Sequence, residues 1–404
     1  NQPEPQQLLD VVEASDFSDY VKALDRAAKI EAVKPIADQL LDQLRQAAME
    51  RSRDPQRIAQ DIQQLAEGRR PAAEATLRLQ AAGQYAAPHL LDVLTDDPQQ
   101  RLHPYVSRAM IAIGPEMVYP LSTALPKLDS VTQGRVAQIL AELGYPQAIA
   151  PLKQVLEQED LNPQLRRTVE TALSQLLAEQ AMAADLSAAQ QYLIRGLGEY
   201  DLGTRGAEAL GSDEKTDTGV LWAHSDTLIP INVPLQVYPD VLAMNSAREA
   251  LALNNSLDPA LSLYLMANFR RENGLKDGQV DPSYPNQMQT PMFYAMLSGP
   301  ERLLDVLSTA LEDEDPKLAL DALRALSATS GTAAMLRQQA GRQPMFNALS
   351  YPDRRVRFEA ALALANARPQ QMFPGAFRVV TVLSEAVREG GAKTALLLTS
   401  DSSR

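Results

Sequence analysis

With 404 residues the chain is long enough for a sizeable core, and at 45% apolar but only 5% aromatic content that core must be built from Ala, Leu, Val and Ile, which favours close-packed helices over a sandwich or barrel. A formal net charge of −13 argues against binding to the phosphate backbone of nucleic acids, and the absence of cysteine excludes disulfides, cysteine metal sites and a thiol nucleophile. No stretch approaches 18 consecutive apolar residues, so no membrane-spanning helix is expected.

The chain opens on a polar, Pro- and Gln-rich leader from Asn1 to Gln7, without Met and without signal-peptide character. It reads as a tether left by processed export or by trimming, and membrane attachment through this end fits it. Together with the missing cysteines it points to a bacterial cell-envelope, periplasmic or secreted protein, with the cytoplasm as the alternative. Residues 1–66 are expected to be helical, with amphipathic runs at 6–30 and 33–50.

From 67 to 195 the dominant signal is repetition. Gly83, Gly114 and Gly144 recur at steps of 31 and 30 residues, and each precedes a proline (Pro88, Pro120, Pro151) that opens a Leu-rich run. Glycine is a natural stop for one helix and proline is tolerated early in the next, so each unit is predicted as helix, Gly turn, helix. A second pattern relates residues 162–173, 315–326 and 353–364. A capping residue leads (Asn162, Asp315, Asp353), an aliphatic follows (Leu165, Leu318, Val356), then a small or branched apolar residue (Val169, Ala322, Ala360) and an Ala-Leu pair. These offsets mark one face of a capped helix.

A two-helix unit of about 30 residues with this motif resembles a HEAT-type repeat of the short bacterial kind. The resemblance implies an all-α solenoid that binds other proteins, and no particular reaction. It covers 67–195 and 299–392. Between them, 196–298 reads as an irregular insert. Six glycines and much charge in 195–219 predict a loop, and residues 220–224 and 228–233 around Ser225, Asp226 and Thr227 predict a β-hairpin. Residues 247–273 resemble a tetratricopeptide helix pair, and a faint trace of the same family lies at 16–29. The stretch 275–296, rich in Pro, Gln, Met and aromatics, is expected to be irregular. Residues 393–404 resemble the first strand of a receiver-like α/β domain, so a further domain is expected to start there.

Candidate chemistry is sparse. Arg354, Arg355 and Arg357 could form an anion patch, but their repeat position favours ion pairs within the helices. His89, His103 and His224 show no metal-binding spacing, and the repeated His-Glu pairs of HEAT-type di-iron hydroxylases are missing. The acidic run from Glu312 to Asp315 fits a helix-capping loop better than a cation site. His224, Ser225 and Asp226 are adjacent in sequence, which does not place them as a triad. No nucleotide-binding or hydrolase fingerprint occurs. No cofactor, metal or catalysis is therefore expected. Trp222, His224, Arg270, Arg271, Tyr284, Phe293 and Tyr294 are the expected partner-binding residues, because a chain poor in aromatics places several of them in its irregular centre. The expected function is a non-catalytic scaffold for proteins or peptides. The alternative is a HEAT-like lyase or small-ligand protein with a pocket between the 220–233 hairpin and the 275–296 loop.

Overall fold

A computed structural model of the chain describes residues 6, 9–10, 12, 17–177, 185–206, 209–213, 217–285, 287–329, 331–337, 343–369, 373 and 375–389. The expected domain start at 393–404 and the leader at 1–5 lie outside the described residues. The fold is all-α with one small sheet, and its contacts divide the chain into two units. Unit 1 comprises residues 1–188 and 220–231, and unit 2 comprises residues 189–219 and 232–404.

Unit 1 contains α1 (Phe17–Ala27), α2 (Lys34–Ser52), α3 (Pro55–Gln64), α4 (Arg69–Ala82), α5 (Ala87–Thr95), α6 (His103–Ile113), α7 (Val118–Ala124), α8 (Ser130–Leu143), α9 (Ile149–Leu156) and α10 (Pro163–Leu177). The glycine ladder sits where the spacing placed it. Gly83, Gly114 and Gly144 all have positive φ and end α4, α6 and α8. A short 3-10 turn follows each and leads into α5, α7 and α9. The helices then pack in two rows. One runs α2, α4, α6, α8, α10 and the other α3, α5, α7, α9, each member touching the next in its row. The space between the rows is filled by small aliphatics such as Leu79, Leu90, Val106, Leu121, Val136 and Leu152, all fully buried.

Unit 2 contains α11 (Ala188–Arg205, entering from unit 1 at its first residue), α12 (Tyr238–Leu253), α13 (Asp258–Gly274), α14 (Pro291–Ser298), α15 (Pro300–Glu312), α16 (Pro316–Thr329), the short α17 (Thr332–Met335) and α18 (Pro344–Ala348), α19 (Arg354–Asn366) and α20 (Ala376–Glu389). One continuous core runs from Tyr200 through Ala243, Leu263, Phe269, Leu307 and Leu323 to Leu364 and Val382. The segment read as an insert, 196–298, thus shares its interior with the helices that follow it.

The three similar stretches, 162–173, 315–326 and 353–364, behave alike. Asn162 accepts a hydrogen bond from Gln164 N at 2.8 Å, Asp315 accepts from Lys317 N and Leu318 N at 3.0 Å, and Asp353 accepts from Arg355 N at 2.8 Å. Behind each cap the periodic residues are buried: Leu165, Val169, Ala172 and Leu173; Leu318, Ala322, Ala325 and Leu326; Val356, Ala360, Ala363 and Leu364. Two arginines of the third stretch, Arg355 and Arg357, are held by the helices themselves. Arg355 pairs with Asp353, while Arg357 bridges to Glu385 of α20 and to the carbonyls of Tyr351 and Pro352.

The sheet places β1 (Ser212–Asp213), β2 (Thr218–His224) and β3 (Leu228–Pro234) side by side in that order. β1 runs antiparallel to β2, with Ser212 opposite Gly219. The hairpin and its turn at 225–227 match the sequence reading. The expected loop at 195–219 does so only beyond residue 205, among the described residues. Residues 195–205 continue α11, and two of the glycines that predicted a loop, Gly196 and Gly203, meet close neighbours instead. A Cβ on Gly196 would lie 2.8 Å from Leu263 Cδ2 and 3.0 Å from Ser246 Cβ, so its absence lets α11 lie directly on α12 and α13. Gly198, two residues on, faces open space. The two sites are expected to respond oppositely in denaturant unfolding. Gly198→Ala should stabilise by about 0.5–1 kcal/mol through helix propensity. Gly196→Val should destabilise by about 1–3 kcal/mol through overpacking. Equal responses at both sites would contradict the close approach.

Candidate functional site

The seven residues expected to bind a partner fall into separate settings. In unit 1, Trp222 projects from β2 and is only 3% exposed. Its Nε1 donates to Gln84 Oε1 at 2.9 Å, and Tyr85 meets it edge-to-face with ring centroids 6.5 Å apart. Both partners lie in the 3-10 turn after α4. That turn is itself pinned, because Gln84 N donates to Glu116 Oε2 at 2.9 Å and Gly83 leaves room for the same carboxylate. The Arg53 guanidinium covers Tyr85 at 3.9 Å from the ring centroid. Trp222 therefore plugs the hairpin into the 3-10 turn after α4 and is buried there. His224 is half-buried near the end of β2. Its carbonyl accepts from Lys127 Nζ, and its Nδ1 is buried without a hydrogen-bond partner. Burial first, then the Lys127 charge, lowers the pKa of this imidazole and favours its neutral form.

In unit 2, Arg270 and Arg271 leave α13 in different directions, and each is absorbed by a polar cluster. Arg270 Nη2 lies 3.3 Å from Asp240 Oδ1, which has no directed hydrogen bond, so the contact is an ion pair only. Its Nη1 donates to Thr204 Oγ1 at 2.7 Å and to Tyr200 O at 3.2 Å, and the guanidinium lies over the Tyr200 ring. Burial pushes the Asp240 carboxyl up to about 7 against the pull of Arg270. The Tyr200 hydroxyl donates to Asp313 at 3.1 Å.

Arg271 and Asp281 are 6% and 0% exposed and lie 3.5 Å apart. Arg271 Nε donates to Asn268 Oδ1, and its guanidinium stacks 3.9 Å from the Tyr284 ring centroid. Asn268 Nδ2 donates to the Tyr284 hydroxyl, which donates to Gln289 O. Asp281 also caps Ser283 N at 2.9 Å. The 275–290 stretch is thus strapped onto α13 by its own arginine, aromatic and acid. Tyr294 stacks edge-on between Tyr264 and Phe293. Only Phe293 among the seven is largely open, at 44% exposure, and it shares a helix face with the exposed Met296 and Leu297.

Surfaces that the sequence reading passed over lie on unit 1. A groove of ≈530 Å³ runs between α8 and α10 past Gln138, Glu142, Gln164, Arg167, Thr171 and Gln175. A second of ≈290 Å³ continues it past Val131 and Gly134, sharing Gln138 and Thr168. These positions are the outward side of the first helix row, where Gln and Thr recur; composition alone does not separate such a surface from an ordinary solvated one. A third groove, of ≈340 Å³, lies among α2, α3 and α4.

Among the described residues no group of three or more His, Cys, Asp or Glu could hold a metal ion, and no helix is long and apolar enough to cross a membrane. Compared with protein-family models, with curated proteins and with solved structures, the chain gave no match in any of the three.

Proposed function

We propose that the chain is a non-catalytic scaffold, a HEAT-like α-solenoid that binds proteins or peptides on the outward side of its first helix row. The two-row order of unit 1, renewed at each Gly turn, carries this reading. A row of parallel-running helix faces leaves a continuous strip of side chains free of core duty, and such strips are the binding surfaces of stacked-repeat proteins. The strip here is the α8–α10 groove, where the amides of Gln138 and Gln175 offer donors and acceptors to a docked chain. Thr168 and Thr171, whose hydroxyls donate to helix carbonyls, offer acceptors. On unit 2 the open edge of α14, with Phe293, Met296 and Leu297, is the part of the expected aromatic site that a partner reaches directly. Tyr284, with Arg271 stacked on its ring, packs against the same core as α14. A Cys-free composition supports the bacterial cell envelope as the compartment.

Site-specific photo-cross-linking in a native bacterial lysate tests the reading. A photoreactive residue at Gln138 or Thr171 should give a discrete adduct identifiable by mass spectrometry. The same group at Asp92 on α5, in the other row, should not. Absence of any adduct, or equal adducts from both rows, would overturn it.

A further inference from the structure

The chain's acidity is uneven. Between residues 45 and 78, seven arginines stand against five carboxylates in a protein whose net charge is −13, and some of those arginines converge. The groove among α2, α3 and α4 is lined by Arg51 and Ser52 of α2, Arg57 and Asp61 of α3 and Arg78 of α4, over a floor of Ala48 and Ala81. Three guanidiniums thus meet one carboxylate.

Their states differ. Arg78 Nε donates to Asp61 Oδ1 and its Nη2 to Gln64 Oε1, both at 2.6 Å. Asp61 is buried and committed to that pair. Arg51 donates through Nε and Nη2 to Gln6 Oε1 at 3.2 and 3.1 Å and pairs with Asp10, which lies outside the groove. Arg57 has no ion pair among the described residues. The paired arginines are fixed in place, and the unpaired one faces the same space.

We propose that this groove takes the acidic side chains of a protein partner, with a Glu or Asp carboxylate held by Arg57 and its aliphatic carbons laid on Ala48 and Ala81. The inference rests on the protein-binding reading above and names the kind of segment bound. A guanidinium fork matches a carboxylate in shape and charge, and with Arg51 and Arg78 balanced by Asp10 and Asp61 the net charge at the groove is that of Arg57. A groove of this volume is of the size that holds small ligands or a few side chains. A surface that is negative elsewhere repels an acidic segment, which gives the groove selectivity of position.

The test is fluorescence anisotropy on the full chain. The probes are a short fluorescein-labelled peptide of alternating Glu and Ala, its Gln counterpart, and inorganic phosphate as competitor. The Glu peptide should bind and weaken as salt is raised, and the Gln peptide should bind at least about tenfold more weakly. Arg57→Gln should weaken the Glu peptide by roughly tenfold, and Arg57→Glu by more. Arg57 is exposed and lies in the first turn of α3, where an acid suits the helix, so both variants should fold. Arg166→Glu, the same charge change on α10, should leave affinity unchanged. Equal losses at Arg57 and Arg166, or equal binding of the Gln peptide, would overturn the proposal. Displacement by phosphate as effective, mole for mole, as by unlabelled peptide would overturn it in favour of a small-oxyanion site. Because the titration reads the groove directly, its failure is distinguishable from a failure of the cross-linking test at Gln138 and Thr171.

Discussion

Replacing Trp222 by alanine is expected to destabilise unit 1 by about 3–5 kcal/mol, the cost of removing a large buried aromatic. The side chain is 3% exposed, stacks edge-on against Tyr85 and donates to Gln84. Trp222→Phe separates these contributions. It keeps most of the ring but loses the hydrogen bond from Nε1 to Gln84 Oε1, at a cost of about 0.5–1.5 kcal/mol. As the only tryptophan in the chain, Trp222 also supplies its own readout in the wild type. Its emission should be blue-shifted when folded and move to the red on unfolding, while the variants are followed by far-ultraviolet circular dichroism. A loss below about 1 kcal/mol for the alanine variant would show that the ring does not anchor the hairpin, and would return Trp222 to the partner-facing role expected from the sequence.

Trp222 also shows where sequence reasoning stops. The hairpin that carries it was legible from two β-like runs around a Ser-Asp-Thr turn, since strand and turn chemistry are local. The residues that receive it, Gln84 and Tyr85, are 138 and 137 positions away and follow an unremarkable Gly turn. Nothing in the local composition marks that turn as a socket. The helix caps at Asn162, Asp315 and Asp353 were legible for the same reason as the hairpin: the bond from cap to N–H spans only two or three residues. So was the buried Ala-Leu face, because 3.6-residue periodicity is written into the chain.

The glycines of 196–203 were read wrongly because Gly carries two opposite messages. It breaks an isolated helix, and it lets two helices approach when a neighbour presses on it. Only the positions of Leu263 and Ser246 decide between these at Gly196. The site residues divide along the same line. Aromatics and arginines in an irregular segment signal that something is being bound, but not whether the partner is another molecule or the segment's own helix. For Arg271, Tyr284 and Tyr294 the structure supplies internal partners. For Phe293 it leaves an open face.

Arg271 offers the sharpest separation of these two roles. Arg271→Ala should cost about 3–5 kcal/mol, because it strands the fully buried Asp281 without its counter-charge. It also removes the guanidinium from the face of Tyr284 and frees Asn268. The effect should be local before it is global: amide hydrogen exchange in 275–285 should accelerate while α16 and α19 remain protected. Arg271→Lys keeps the charge but loses the planar stack on Tyr284, so an intermediate loss is expected. Asp281→Asn tests the pairing itself, since the double variant Arg271→Ala with Asp281→Asn should be less destabilised than the sum of the two single changes. Ser283 complicates neither arm, because its bonds go to Asp281 Oδ1 whereas Arg271 addresses Oδ2. A residue kept for an external partner would behave differently. Its removal would leave exchange in 275–285 unchanged, cost less than about 1 kcal/mol and show no coupling to Asp281. The buried pair at the end of α13 predicts strong coupling and an early-opening strap, which makes the 275–290 segment the element whose release would most change what α14 presents to a partner.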